Sequence, residues 1–267
     1  MIRQQSPELR STTIRLLVIP VVLYSAWMME IFLLEGKMHL FSRFTPEGLF
    51  PYTIIACIIT GMAAPFLCIR KAFISGAVNM FQIGFRSLRR TFTVCIITGC
   101  IGYGAITLFN PFGRDQHAFA NAFLLLLPSV IASVMMCWVL AGTHVQAFVR
   151  SSGAFISSSV GIMMTTVLYS LTTFAYFPEI LQQEAFFSSA CLGIIAATFF
   201  FAVRDVYATC LVVALGSVFT LSARISPLYV NEMVPTVWIS AALSLGALMG
   251  IHVYLSRNYI TLKVPVQ

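Results

Sequence analysis

Of the nine acidic residues in this sequence, only Glu30 lies well inside a long apolar run, directly after Trp27, Met28 and Met29; Glu35 stands at the end of the same run. A carboxyl group removed from water costs several kcal/mol unless it is protonated or paired. Glu30 is therefore either a hydrogen-bonding anchor, to a hydroxyl, a carbonyl or an arginine of another segment, or a ligand- or proton-binding group. The four histidines, His39, His117, His144 and His252, fall in loops or near the ends of apolar runs, and none is spaced from another histidine or an acid as metal ligands are. A zinc site needs three or four converging ligands, so no metal or other cofactor is expected, and His144, beside Thr143, reads as an interfacial residue. The seven cysteines all lie in or beside apolar runs without a CxxC pair, as small hydrophobic residues do. Glycine-rich phosphate loops, nucleophile elbows and HExxH are missing from the sequence; motif reading alone yields no enzyme.

The elements that must position these residues are set by composition. The chain is 59% hydrophobic and 9% charged, with a mean hydropathy of +0.90. Soluble domains carry about 25% charged residues. Too few polar groups remain to cover a water-soluble globule, so the solvent is lipid. Every backbone group must then be satisfied internally, by helices or a closed barrel. Barrel strands alternate in polarity, whereas these runs are long and almost unbroken. The net charge of +7 sits between the runs, where basic residues orient helices in a bilayer, and does not suggest nucleic acid.

About 20 apolar residues cross a bilayer core. That ruler gives an all-α bundle of about eight spans, at 16–34, 51–69, 92–110, 120–142, 154–177, 185–203, 206–222 and 234–256, with the sixth and seventh joined tightly at Arg204 and Asp205. Summing Lys and Arg over alternate segments places Arg3, Arg10, Arg15, Arg70, Lys71, Arg86, Arg89, Arg90, Arg150, Arg204, Arg257 and Lys263 on one side. Lys37, Arg43, Arg114 and Arg224 fall on the other. The positive-inside rule puts both termini in the cytoplasm, and the 178–184 loop, with Glu179 and Glu184, outside. The whole of 1–267 reads as one multi-pass domain of the cell membrane. Within 70–91, Ile74, Val78, Phe81, Phe85 and Leu88 recur at helical spacing and Arg86, Arg89 and Arg90 close the segment. This predicts an amphipathic helix in the cytoplasmic headgroup layer; the other reading is a helix that lengthens the third span. Small residues four apart, at Gly153, Ser157 and Gly161 and at Ala242, Gly246 and Gly250, predict close helix packing within the chain.

The pattern of 120–222 resembles the CPBP family, the intramembrane metalloproteases that process prenylated proteins and bacteriocins. That family carries EExxxRG at one helix end, FxxxH before a Leu-Pro at the next, and HxxxN two helices later. Here Met136-Cys137-Trp138-Val139-Leu140-Ala141-Gly142 stands for EExxxRG and runs on into Thr143 to Gly153. Thr172-Thr173-Phe174-Ala175-Tyr176-Phe177-Pro178 resembles the FxxxH end, and Arg204 to Ser217 resembles the run into HxxxN, with Val213 and Ser217 at the His and Asn places. The family's glutamates and histidines hold and activate a water. Met136, Cys137, Tyr176 and Val213 stand where those groups would be, and none of Met, Val or neutral Tyr can act as a carboxylate base or a His ligand; Ala141, Thr172 and Ser217 are the remaining substituted positions. The resemblance thus implies a relative without protease activity, whose vacated site binds a lipid, a hydrophobic peptide or a membrane-protein partner.

A small transporter or permease subunit is the alternative, with Glu30, Ser157, Ser158, Ser159, Thr165 and Thr166 lining a polar path and Pro20, Pro65 and Pro128 breaking helices.

Overall fold

The computed structural model describes residues 7–41, 43, 45–74, 78, 80–109, 116–176, 183–221 and 224–259. Among these, all regular structure is helical. The long elements are α1 (Pro7–Met38), α2 (Pro46–Ile74), α4 (Leu88–Phe109), α5, α6 (Ala154–Tyr176), α7 (Gln183–Val203), α8 (Val206–Leu221) and α10 (Pro235–Tyr259). Short helices α3 (Met80–Ile83) and α9 (Pro227–Asn231) lie between them. Helix α5 runs from Gln116–Ser133 through a π-helical stretch, Val134–Gly142, into Thr143–Phe148. Each expected span has its helix. Among the described residues six helices are long and apolar enough to cross a membrane; α8 is apolar but shorter, about 24 Å at 1.5 Å per residue.

Helix α5 is the axis of the bundle. Its residues from Leu125 to His144 are all buried, and α1, α2, α6, α8 and α10 pack around it. A helix enclosed on every side must be apolar all round, and α5 carries no Asp, Glu, Lys or Arg between Gln116 and Phe148. The prolines do not break helices. Pro20 lies inside α1 and Pro128 inside α5. In α2 a second π-helical stretch, Thr53–Ala63, ends just before Pro65. Proline removes a donor and crowds the carbonyl one turn back, and a local π register re-satisfies the freed groups in a membrane helix.

The loops sort to two ends as the charge bias predicts. At one end the α7–α8 turn is tied to the segment before α4 and to the end of α5. Arg204 takes φ +56, a left-handed conformation costing a non-glycine residue about 1–2 kcal/mol. Its buried guanidinium donates to Gln82 O (3.1 Å) and Gln146 Oε1 (2.7 Å). Desolvation, and then the charge of Arg86, lower its pKa to about 10, which leaves it protonated at neutral pH. Asp205 caps α8 by accepting from Ala208 N at 3.0 Å and also accepts from Thr91 Oγ1 at 2.6 Å, an anion placed where the helix dipole favours one. At the other end Ser226 N donates to Phe41 O, Thr45 N to the Tyr229 hydroxyl, and Asn121 Nδ2 to Val230 O and Glu232 O.

Three expectations need correction. The single amphipathic helix over 70–91 is instead the end of α2 at Ile74, the four-residue α3 and an extended stretch into α4, with residues 75–77 and 79 outside the described set. Gly84 is the cause. It sits at φ +87, and its carbonyl accepts Val206 N at 3.0 Å. Ile83 and Phe85 are buried under that turn rather than lying in a headgroup layer. Second, a side chain on Gly246 or Gly250 would meet no atom within 4 Å, so the small residues of α10 serve no packing within the chain, whereas a Cβ on Gly161 would press on the Phe201 ring at 2.5 Å. Third, His144 is buried, with Nδ1 2.7 Å from Leu140 O. The expected 178–184 outer loop, with Glu179, falls largely outside the described residues.

Two outcomes are expected. Arg204→Gly relieves the backbone yet deletes two charge-assisted bonds of about 1.5–3 kcal/mol each, so it should lower thermal stability in detergent by about 2 kcal/mol net; a gain in stability would show that those bonds do not matter. A reporter active only outside the cytoplasm should work when inserted after Glu232 and be silent after Gln267, and the opposite pattern would reverse the orientation.

Candidate functional site

The substituted family positions lie on α5, α6 and α8, and the structure buries all seven inside the bundle. The π-helical stretch of α5 carries Met136, Cys137 and Ala141. Cys137 Sγ is 3.8 Å from Thr172 Oγ1 on α6, and that hydroxyl is 3.1 Å from the Tyr24 hydroxyl of α1. Tyr24 donates to Leu168 O at 2.6 Å. One turn further along α6, the Tyr176 hydroxyl donates to Ser129 O at 3.1 Å and stands 3.2 Å from Ser133 Oγ. The Tyr52 hydroxyl of α2 is 3.3 Å from Ser129 Oγ. Tyr169 and Ser217 join α6 to α8 at 3.1 Å. The outcome is a set of neutral hydroxyl contacts that tie α2 and α6 to the central helix, and α1 and α8 to α6.

These groups enclose a cavity of about 20 Å³, lined by Ser129, Ser133, Tyr169, Thr173, Tyr176 and Ser217 among others. That is room for about one water, which needs 10–15 Å³ and two to four polar partners. Tyr176 and Ser217 reach this cavity; Met136, Cys137, Ala141, Thr172 and Val213 do not line it. Hydroxyls can orient a water but offer neither a base near neutral pKa nor metal ligands. Among the described residues no group of three or more His, Cys, Asp or Glu converges as a metal site would. Glu30 is only partly buried, beside the buried stripe Tyr24, Trp27, Ile31 and Glu35 of α1. The acid that points into the protein is Glu35, 2% exposed, which accepts from Leu40 N and Phe41 N; it fixes the turn after α1.

A larger concavity lies elsewhere among the described residues. A groove of about 600 Å³ opens sideways between α4 and α7, floored by α8. It is lined by Thr98, Ile101, Gly102 and Ala105 of α4, Leu192, Ile195 and Phe199 of α7, and Val212, Leu215, Gly216 and Phe219 of α8. A Cβ on Gly102 would collide with Leu215, and one on Gly216 with Leu192, so both glycines set how closely α8 approaches its two neighbours. Helices α4 and α7 each pack on α8, and α4 makes its main contact there. The walls are therefore held apart by the floor. Sequence reading missed this groove because its three stripes lie far apart in the chain; the only local hint was glycine at lipid-span depth in two of them.

Comparison with protein-family models, with curated proteins and with solved structures gave no match.

Removing the hydroxyl in Tyr176→Phe should cost about 0.5–1.5 kcal/mol, read as a lower melting temperature in detergent; no loss would mean that Ser129 and Ser133 are satisfied without it.

Proposed function

We propose that this chain is a multi-pass protein of the cell membrane that binds one apolar chain of a lipid in the groove between α4 and α7 and carries out no proteolysis. The supporting observation is a contrast in space. The void beside Tyr176 and Ser217, two of the positions matched to the family motifs, holds about 20 Å³, while the lateral groove holds about 600 Å³, within the range of about 300–1,000 Å³ typical of small-molecule sites. On this reading the scaffold is of the CPBP kind, and the places of its glutamates and histidines are filled by packed side chains rather than left as a binding pocket.

The shape of the groove favours an alkyl chain over a partner helix. On each of the three helices its lining spans eight residues, Thr98 to Ala105, Leu192 to Phe199 and Val212 to Phe219, about 10 Å of helix rise. A partner helix would seek contact along most of the roughly 30 Å core. An apolar chain entering from the bilayer needs only a local trough, and Ile101, Ile195 and Phe219 stand exposed along it. Glu30 does not favour transport, because it lies off the buried face of α1.

The test is photocrosslinking with a phospholipid carrying a diazirine on its acyl chain, followed by peptide mapping. Adducts should concentrate on 98–105 and 192–199. Equal labelling of these stretches and of the lipid-facing side of α10, for example Leu243 and Met249, would remove the proposal.

A further inference from the structure

Two arginines, Arg89 and Arg90, stand at the start of α4, nine and eight residues before its first groove-lining residue, Thr98. We propose that the groove is a site for an anionic phospholipid, whose phosphate sits on Arg89 and Arg90 while one acyl chain fills the trough; this rests on the groove assigned above.

Arg90 bridges the two walls. It belongs to α4, and its Nη2 donates to Val203 O at 3.2 Å, at the end of α7. Val203 lies one turn beyond Phe199, which lines the groove. Along α4, Arg90 precedes Thr98 by eight residues, about 12 Å of rise. A phosphate at Arg90 therefore starts at headgroup level, and its acyl chain reaches the trough near the middle of a core about 30 Å thick. Arg90 uses one donor on Val203, and a guanidinium has five. Arg89 is exposed and its guanidinium has no partner among the described residues.

The charge here is unbalanced. Arg86, beside Arg90, donates Nε to Arg204 O at 3.1 Å and lies over the Phe81 ring at 3.5 Å. Its pKa is lowered, first by desolvation and then by the charge of Arg90. The acid of this end, Asp205, is buried and turned to Thr91 and Ala208. A bound phosphate would supply the countercharge between Arg89 and Arg90 that the protein withholds. Arginines at a membrane surface gain about a factor of 5 each in favour of anionic over zwitterionic lipid, and their planar donors suit phosphate oxygens.

The experiment uses the purified full chain in detergent at low ionic strength, where such preferences are least screened. Dioleoylphosphatidylglycerol and dioleoylphosphatidylcholine are added separately, and binding is followed by native mass spectrometry and by the shift in melting temperature. The wild type should prefer phosphatidylglycerol by about 25-fold, roughly 5-fold for each arginine. The double variant Arg89→Gln/Arg90→Gln should lose that preference while still binding phosphatidylcholine, and Arg89→Lys/Arg90→Lys should keep most of it. Ala105→Phe, which fills the trough, should weaken both lipids equally. Equal binding of the two lipids by the wild type, or a glutamine variant that still prefers phosphatidylglycerol, would overturn the headgroup assignment. Unchanged binding of both lipids by Ala105→Phe would overturn the groove itself.

Discussion

In hydrocarbon no water is available to satisfy a stray polar group, and this architecture follows from that condition. The helix that pays the highest desolvation toll, α5, carries no charged residue between Gln116 and Phe148 and is surrounded by five others. Many polar atoms that enter the interior are hydroxyls and amides that close their bonds locally, while Trp138 Nε1, Thr166 Oγ1 and Ser240 Oγ are buried without a partner among the described residues. Ser133, Thr143, Thr165, Ser170 and Thr172 all return a bond to a carbonyl of their own helix, and the tyrosines of α1, α2 and α6 use what remains to link helices. Apart from Glu30, partly buried within α1, charge among the described residues gathers toward the two ends. The buried charges there are bonded: Arg204 to carbonyl and amide oxygens, Asp205 to a helix N-terminus, Glu35 to the turn that follows it.

The spans and their sidedness could be read from the sequence because both depend on sums over many residues. Apolar length sets the helices, and the distribution of arginines sets the ends. Arg86, Arg90 and Arg204, placed together by that counting alone, meet in space through Val203 O and Arg204 O. Single-residue decisions were harder. The periodicity of Val78, Phe81 and Phe85 suggested a helix, but Gly84 reverses the backbone between them and sends both flanking apolar side chains inward. The four-residue step of Ala242, Gly246 and Gly250 matched that of Gly153, Ser157 and Gly161; only the partner across the gap, Phe201 on α7, tells the useful glycine from the idle ones.

The candidate site shows the same division. The positions matched to the family motifs are all interior, but only Tyr176 and Ser217 line the water-sized void there, and Cys137, Thr172 and Val213 do not. The groove was illegible because no short stretch encodes it. It exists because α8 holds two helices apart, which is a property of three segments spread over more than 100 residues of chain.

The shortness of α8 has an effect beyond the protein. A hydrophobic stretch of about 24 Å set in a core of about 30 Å leaves a mismatch that a bilayer absorbs by thinning, at a fraction of a kcal/mol per Å. The turn at Arg204 and Asp205, with Arg86 and Arg90 bound to it, is the capped end of that helix. A bilayer thinned to match α8 would carry that thinning past the trough that this helix floors.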